Sequence, residues 1–307
     1  MLTTILNSPA TLVVKKYPSV ATLMMALFTV AISGCGNLYQ QTPFTSKLFS
    51  GANLKPAVVY RASTTAEAGA DTGAGSAAAT ETASNGGTGN LKGKVEFVGT
   101  LATLPPLYAK GSDVKDAAVC AAVEAPNQEI LVKDGGLANV FIYLRKTPKS
   151  VPAAPADASF VFDQKGCVFK PHAMISRVGQ KIMVLNSDGV AHNTHTYGVK
   201  TTAFNKIVNP NDAVGAPLVY KQAEQEPISV GCDIHPWMKA YHLPVDHPYA
   251  AISGDDGTFE IKDLPAGKHE FKVWHEVPKM IEKSLVVTIK PGDNDLTIKV
   301  TAAQLGK

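Results

Sequence analysis

Two short segments of this 307-residue chain carry side chains that suit a soft metal ion. Cys232, His235 and Met238 follow the pattern Cys-x2-His-x2-Met, and His192 lies 40 residues before the cysteine. One thiolate, two imidazoles and a weakly bound thioether form the ligand set of a blue-copper electron-transfer site. The weak thioether contact holds the ion between the geometries that Cu(I) and Cu(II) prefer. The sequence therefore predicts one copper ion, bound by these four side chains.

The neighbouring sequence favours a position for these side chains at strand ends. Residues 182–188 form a strand-like run before His192, and residues 226–231 form another directly before Cys232. The stretch between the two segments leaves room for two or three strands of about 5–6 residues. The alternatives are a buried thiol beside a loop histidine and a core methionine, zinc in place of copper, or an empty site.

The ligand loop resembles that of the cupredoxins, most closely the short Cys-x2-His-Pro-aromatic-Met loop of amicyanin. The His-Asn-x-His sequence at 192–195 resembles the same family, and the likeness covers roughly residues 170–245. It implies the ligands His192, Cys232, His235 and Met238. It also implies that Asn193 ties the two ligand segments together. The likeness departs at Asp233, where cupredoxins commonly have Ser or Thr; a carboxylate there would alter the hydrogen bonding around the thiolate.

The resemblance also implies where electrons enter and leave. In blue-copper proteins the loop histidine usually reaches the surface through an apolar patch, which Pro236 and Trp237 would border here. The partner would then be a redox protein such as a cytochrome or a dehydrogenase. His195 is a candidate for a supporting or gating position beside the site, and a partly exposed strand histidine is the alternative.

The N-terminus predicts export and a lipid anchor. Two lysines precede an apolar run at 20–31, which is short for a membrane-spanning helix. The segment Ile-Ser-Gly-Cys that ends at Cys35 resembles a bacterial lipobox. We therefore expect a lipoprotein signal peptide at 1–34, a lipid on Cys35 and a low-complexity linker at 35–90. Gly36 favours the outer membrane, with the protein in the bacterial periplasm or at the cell surface; an ordinary signal peptide or an uncleaved anchor is the alternative.

The charge balance gives no support to nucleic-acid binding. The formal net charge is +3 at pH 7, two of the lysines lie in the signal, and no basic block occurs. A redox partner is therefore expected to dock through an apolar patch rather than by strong charge attraction.

Four cysteines occur in the chain, and two remain after the lipid and the copper site are assigned. In an oxidising compartment, Cys120 and Cys167 are expected to form a disulfide. The alternative is a second metal site within 166–172, which contains Cys167 and His172. A weaker second copper site on other histidines is a further alternative, with the candidates His172, His195, His242 and His247.

The folded part of the sequence reads as strands, so the predicted fold class is all-β. The clearest alternating runs are 91–99, 138–145 and 178–185. The best short-helix candidate is 111–124, with Ser112 or Asp113 as its cap. We expect a cupredoxin-like Greek-key β-sandwich at 91–247, associated with a second small β-sandwich.

The C-terminal segment 248–307 has a different pattern of alternating apolar residues and turn residues. An Asp-Gly turn at 256–257, set between alternating runs, predicts a β-hairpin. The pattern Asp-Gly-x-Phe-x-Ile-x-x-Leu-Pro-x-Gly at 256–267 resembles the carboxypeptidase-regulatory or transthyretin-like β-sandwich. Because the opening strand of that family looks like 91–99, strands from 91–145 would pair with this segment and leave the copper domain as an insertion.

The predicted function is a one-electron carrier and not an enzyme. Multicopper oxidases and nitrite reductases connect type 1 copper to a second copper through a histidine beside the cysteine, whereas Gly231 and Asp233 flank Cys232 here. A binuclear centre needs two cysteines in the loop, and this loop has one. The alternatives are a copper carrier or chaperone, and an envelope module that binds carbohydrate and holds a structural metal.

Overall fold

The computed structural model describes residues 86–154 and 159–307. The predicted signal peptide, the lipidation site at Cys35 and most of the predicted linker lie outside these residues. In the described ranges the chain forms strands and one short α-helix, which confirms the all-β fold class. No helix in these ranges is both long and apolar enough to cross a membrane.

The elements run in the following order. The first are β1 (Thr88–Val98), α1 (Ala117–Cys120), β2 (Val132–Lys133), β3 (Gly136–Leu137) and β4 (Phe141–Leu144). Next come β5 (Ser159–Gln164), β6 (Phe169–Lys170), β7 (Ala173–Arg177), β8 (Lys181–Asn186), β9 (His192–Thr196), β10 (Asn205–Val208), β11 (Asp212–Val219), β12 (Ile228–Gly231) and β13 (Lys239–Val245). The last are β14 (Ala250–Ile252), β15 (Thr258–Pro265), β16 (Gly267–His275), β17 (Lys279–Ile289), β18 (Gly292–Thr301) and a 3-10 turn at Ala303–Leu305.

Two sandwiches share these strands. In the terminal sandwich, a sheet of β1–β3, β15 and β18 packs on a sheet of β4, β14, β16 and β17. In the central sandwich, a sheet of β5, β6, β8 and β11 packs on a sheet of β7, β9, β10, β12 and β13. Each has its own apolar core, because alternate side chains of every strand point to the same inner face.

The central sandwich is inserted into the terminal one. β1 pairs with β15 and runs parallel to β18, and β4 pairs with β14 and β16. This is the pairing of the strands at 91–145 with the C-terminal segment that the sequence left open. β1–β4 therefore belong with β14–β18, although they fall within the range 91–247 given to the copper domain. β1 also begins at Thr88, two residues before the predicted end of the linker at 90.

The helix predicted at 111–124 is much shorter in the structure. Only Ala117–Cys120 is helical, and the residue that precedes it, Asp116, adopts a left-handed backbone conformation with φ of 56°. A left-handed residue interrupts a right-handed helix, so the apolar spacing around it leads to a single turn. The surrounding residues 107–125 nevertheless pack on the central core through Tyr108, Cys120, Ala121 and Ala125. We call residues 107–125 the capping segment.

The hairpin predicted around 256–257 is wrong. The turn exists, with Gly257 N–H donating to the Gly254 carbonyl over 2.8 Å, but it joins strands of different sheets. Gly257 has φ of 79°, and a Cβ atom there would lie 2.4 Å from the Val95 carbonyl oxygen. The turn is closed by the Gly254 N–H, which donates to the Thr258 carbonyl over 2.9 Å, and it is also held by its close contact with β1.

Two histidines are buried without charge in the described part of the fold. His242 is 1% exposed, and its Nδ1 lies 2.8 Å from the Tyr220 hydroxyl. Burial lowers the pKa of His242 to about 3. His275 is fully buried, and burial, aided by the charges of His172 and Lys279, lowers its pKa to about 4. Both side chains resist protonation in the folded state.

These two histidines predict a loss of stability in mild acid. Their pKa in the unfolded chain is about 6.5, so below that pH the unfolded state binds protons that the folded state does not. The contribution of these two neutral histidines to the free energy of unfolding is fully present above about pH 6.5. It is lost progressively as the pH falls towards about 4. At pH 5 we expect each histidine to cost about 2 kcal/mol, and His242→Gln should weaken the dependence. Denaturant unfolding at pH 7 and pH 5 measures this; equal free energies of unfolding would contradict it.

Candidate metal centre

Three donor atoms meet at one end of the central sandwich. β9 begins at His192, and Cys232 follows the last residue of β12. Three ligand atoms lie within 4.8 Å of one another, one each from His192, Cys232 and His235. The two Nδ1 atoms of the histidines are 2.8 Å apart, and the Cys232 Sγ is 3.8 Å from the His235 Nδ1. All three residues are buried.

The ligand loop between β12 and β13 is closed by its own backbone. The Cys232 N–H donates to the Met238 carbonyl over 3.4 Å, and the Met238 N–H donates to the His235 carbonyl over 3.0 Å. These bonds bring both ends of the loop together. Met238 is 1% exposed and belongs to the same core cluster as Cys232. The four residues that the sequence predicted as ligands are therefore all buried. Three of them lie in this loop, and His192 lies at the start of β9.

A carboxylate holds the second ring nitrogen of each histidine. His192 Nε2 lies 2.9 Å from Asp188 Oδ2, and His235 Nε2 lies 2.9 Å from Asp116 Oδ2. Asp188 is itself fixed, because its oxygens accept the Gly166 and Cys167 N–H groups at 2.6 and 2.8 Å. A carboxylate on the far nitrogen is the usual support of a metal-bound histidine. It leaves the two Nδ1 atoms facing each other.

The sequence analysis did not single out either carboxylate. Asp188 lies four residues before His192, and this spacing was the one available signal for it. Asp116 lies 119 residues before His235, on the capping segment, and no local pattern connects the two. Only the folded chain brings them together.

Asn193 connects the two ligand segments, as the resemblance implied. Its backbone N–H donates to Cys232 Sγ over 3.5 Å. Its side-chain oxygen accepts the Asp233 N–H at 2.7 Å and lies 3.3 Å from Cys232 Sγ. Asn193 therefore fixes both the cysteine and the first turn of the ligand loop relative to β9.

Asp233 turns its carboxylate towards the neighbouring strands. It accepts hydrogen bonds from Asn193, Asn205 and Tyr197 at 2.8, 3.1 and 3.2 Å, and it pairs with His195 at 3.2 Å. The pairing with His195, with the amide bonds in support, lowers the pKa of the Asp233 carboxyl group. The departure from Ser or Thr at this position thus builds a polar network on the outer side of Cys232.

The donor atoms polarise one another. Burial lowers the pKa of His192, but hydrogen bonding and charge attraction from Asp188 and Cys232 outweigh it and raise the value to about 9. Burial raises the pKa of the Cys232 thiol, yet the His192 ring and nearby backbone N–H groups lower it overall. Burial and the His192 charge lower the pKa of His235. The site therefore eases loss of the Cys232 proton, and the thiolate is the form in which cysteine binds metals.

Of the two residues that the resemblance placed at the surface, Pro236 lies there and Trp237 lies there only in part. Pro236 is exposed, but Trp237 is half-buried against Tyr108, with ring centroids 5.1 Å apart, and donates its N–H to the Cys167 carbonyl at 3.1 Å. His235 is fully buried and reaches no surface. The reason is the capping segment, which covers this side of the loop.

A disulfide joins Cys120 of the capping segment to Cys167, as predicted, with a sulfur–sulfur distance of 2.00 Å. The alternative metal site within 166–172 is therefore wrong, because the Cys167 sulfur is bonded to carbon and sulfur only, and His172 pairs with Glu276 at 2.5 Å. In the described ranges, His172, His195, His242 and His247 belong to no group of three or more metal-binding side chains. They lie apart, on different strands and loops.

The donor set fits copper. A soft thiolate with imidazole nitrogens suits Cu(I), Cu(II) or Zn(II), and harder ions that prefer oxygen ligands have no place here. The pocket is buried, the rings are held by carboxylates, and the donors already face one another. His192, Cys232 and His235 would hold the ion, with Met238 beside them.

No family model matches this sequence, and no curated protein matches it. Part of the fold matches solved structures of copper proteins. An amicyanin mutant in its reduced state is 17% identical over 34% of this chain and 98% of its own, with a TM-score of 0.26. A purple cupredoxin from Nitrosopumilus maritimus is 20% identical over 29% of this chain and 100% of its own, with a TM-score of 0.24.

A copper-containing nitrite reductase from Thermus scotoductus SA-01 is 18% identical over 32% of this chain, with a TM-score of 0.27. The chain spans a quarter of the length of that enzyme, 25%. At these identities and scores the matches describe a shared strand arrangement over part of the chain. We draw no functional conclusion from them.

Proposed function

We propose that this protein binds one copper ion through His192, Cys232 and His235, with Met238 as a weak fourth ligand, and carries single electrons between redox partners. The observation that supports it is the convergence of two Nδ1 atoms and one thiol sulfur in a buried pocket. When bound, copper supplies one-electron chemistry by alternating between Cu(I) and Cu(II).

The residues of the chain would keep the site rigid and dry. Asp188 and Asp116 hold the histidine rings, Asn193 holds the loop to β9, and the loop closes on itself between Cys232 and Met238. A ligand set that is already in place moves little when the charge of the ion changes. This rigidity favours electron transfer over a role that requires release of the metal.

Reconstitution of the metal-free protein with Cu(II) tests this function. We expect one copper per chain, intense visible absorption, an electron paramagnetic resonance spectrum of a thiolate-bound Cu(II) and a reversible one-electron reduction. Zinc-loaded protein, which is colourless and redox-inactive, is the control. Colourless Cu(II) protein would refute the proposal. Tight copper binding without reversible reduction would favour a copper carrier or chaperone instead.

We further propose that the protein is a lipoprotein of the bacterial envelope, anchored through Cys35, with a cytochrome or a dehydrogenase as its partner. The support is the lipobox-like sequence that ends at Cys35. Membrane fractionation of cells that carry Cys35→Ala tests the anchor. A variant that stays in the membrane fraction would contradict it.

A further inference from the structure

One side of the ligand loop is closed. His235 has no exposed surface, and its Nε2 meets Asp116 of the capping segment at 2.9 Å. Trp237, the next aromatic residue in the loop, packs edge-on against Tyr108 of the same segment. The Cys120–Cys167 disulfide fastens that segment to the central sandwich. A partner that approaches here meets the capping segment before it meets a copper ligand.

The opposite side of the loop leads from Cys232 to the surface by short contacts. Asp233 follows Cys232 in the chain, and its Oδ1 lies 3.2 Å from both His195 Nδ1 and the Tyr197 hydroxyl. The His195 and Tyr197 rings are stacked, with centroids 4.2 Å apart and planes at 30°. The covalent path through the adjacent residue, Asp233, followed by one hydrogen bond, thus connects the cysteine to each of the two stacked rings.

These two rings reach solvent. Tyr197 is 48% exposed, and the side chain of His195 is 26% exposed. Tyr197 also lies against Gly231, where a Cβ atom would be in ordinary van der Waals contact with the tyrosine ring at 3.5 Å. The ring is therefore held close to the backbone that enters Cys232.

The surface around the rings carries both signs of charge, because exposed Lys239 of β13 is in register with Gly231, which is itself in register with His195. Asn205 and Ile207 of β10 pair with His195 and Asn193 of β9, and opposite residues of antiparallel strands point to the same side. Ile207 is 68% exposed. Asp233 is the carboxylate on this face, and it is engaged with its four partners. We call His195, Tyr197, Asn205 and Ile207 the outer face.

We propose that the protein exchanges electrons through the outer face, by way of Asp233 and the stacked rings of His195 and Tyr197, and not through the edge of His235. This inference rests on the proposed function. With copper bound, the electron would come from the change of Cu(I) to Cu(II), a one-electron acceptor would take it up, and no covalent bond of the chain would form or break. With one acidic and one basic side chain on the face, Asp233 and Lys239, the matching partner is a one-electron carrier whose redox group lies behind a face without strong net charge.

Rates of electron exchange with small metal complexes test the route. Oxidation of the Cu(I) protein by ferricyanide, followed by stopped-flow absorption, should slow several-fold in Tyr197→Leu and less in Tyr197→Phe, which keeps the stacked ring. Asp116→Ala, which uncovers His235, should instead speed it. Equal rates in the wild type and Tyr197→Leu would overturn the inference.

A second measurement does not depend on copper. In zinc-loaded protein, the redox-inert, uncharged paramagnetic complex tris(acetylacetonato)chromium(III) should broaden the amide NMR signals of residues 195, 197 and 233. Broadening centred on 235–237, or elsewhere, would overturn the inference. Copper-loaded protein without intense visible absorption would refute the proposed function. A coloured protein would refute the route alone if its oxidation rate did not change in Tyr197→Leu and its NMR signals near residue 197 were not broadened.

Discussion

Replacement of Cys232 by serine is expected to remove the intense visible absorption of the copper-loaded protein completely. The absorption requires charge transfer from a thiolate to Cu(II), and Cys232 is the free cysteine among the described residues. A serine hydroxyl neither ionises near neutral pH nor binds copper as a soft ligand. The absorption spectrum of the variant after addition of Cu(II) measures the effect.

Met238→Leu is the matched control for this substitution. It keeps the volume of a buried side chain in the same loop, and volume-conserving core changes usually cost less than about 1.5 kcal/mol. Because the two histidines and the cysteine remain, the colour should persist. Circular dichroism should show both variants folded. A coloured Cys232→Ser variant, or a colourless Met238→Leu variant that is folded and holds copper, would contradict the assigned ligand roles.

Removal of the disulfide, in the double variant Cys120→Ala and Cys167→Ala, is expected to cost about 4 kcal/mol of unfolding free energy. The bridge closes a loop with a sequence separation of 47 residues, and the chain-entropy model assigns a loop of that size this stabilisation. Both cysteines are also fully or almost fully buried in the central core. The variant should lose the close contact between Asp116 and His235 as the capping segment loosens.

Denaturant unfolding of metal-free protein measures this cost, because bound metal would add its own stabilisation to the folded state. Wild-type protein under a thiol reductant should become as unstable as the double variant, and the reductant should not affect the variant itself. A loss below about 1 kcal/mol would show that the disulfide does not restrain the unfolded chain as the entropy model requires.

The ligand set could be predicted from sequence because the chemistry is local. Cys232, His235 and Met238 lie within seven residues, and their types and spacing restrict the choice of metal. The closed loop between β12 and β13 then needs only short-range backbone bonds. The all-β class was also predictable, since a period-two alternation is visible in strands such as β8 and β15 taken alone.

The partners of the strands were harder to predict. The alternation of β1 shows which side chains face a core, but it does not show that β15 and β18 supply the neighbouring strands. The Asp-Gly turn before β15 is a second example. Its residues predict that the chain changes direction, but they do not predict the sheet to which the next strand belongs. Pairing depends on contacts between residues far apart in the chain.

The sequence by itself determined which side chains make up the candidate metal site and the strand content of this protein. The tertiary structure alone decided that Asp116 covers His235 and that His195 and Tyr197 lie on the open side of Cys232. The physical reason is distance along the chain. A motif fixes which atoms can bind an ion, whereas solvent access to that ion depends on segments up to 119 residues away, whose position is set by packing and by a disulfide.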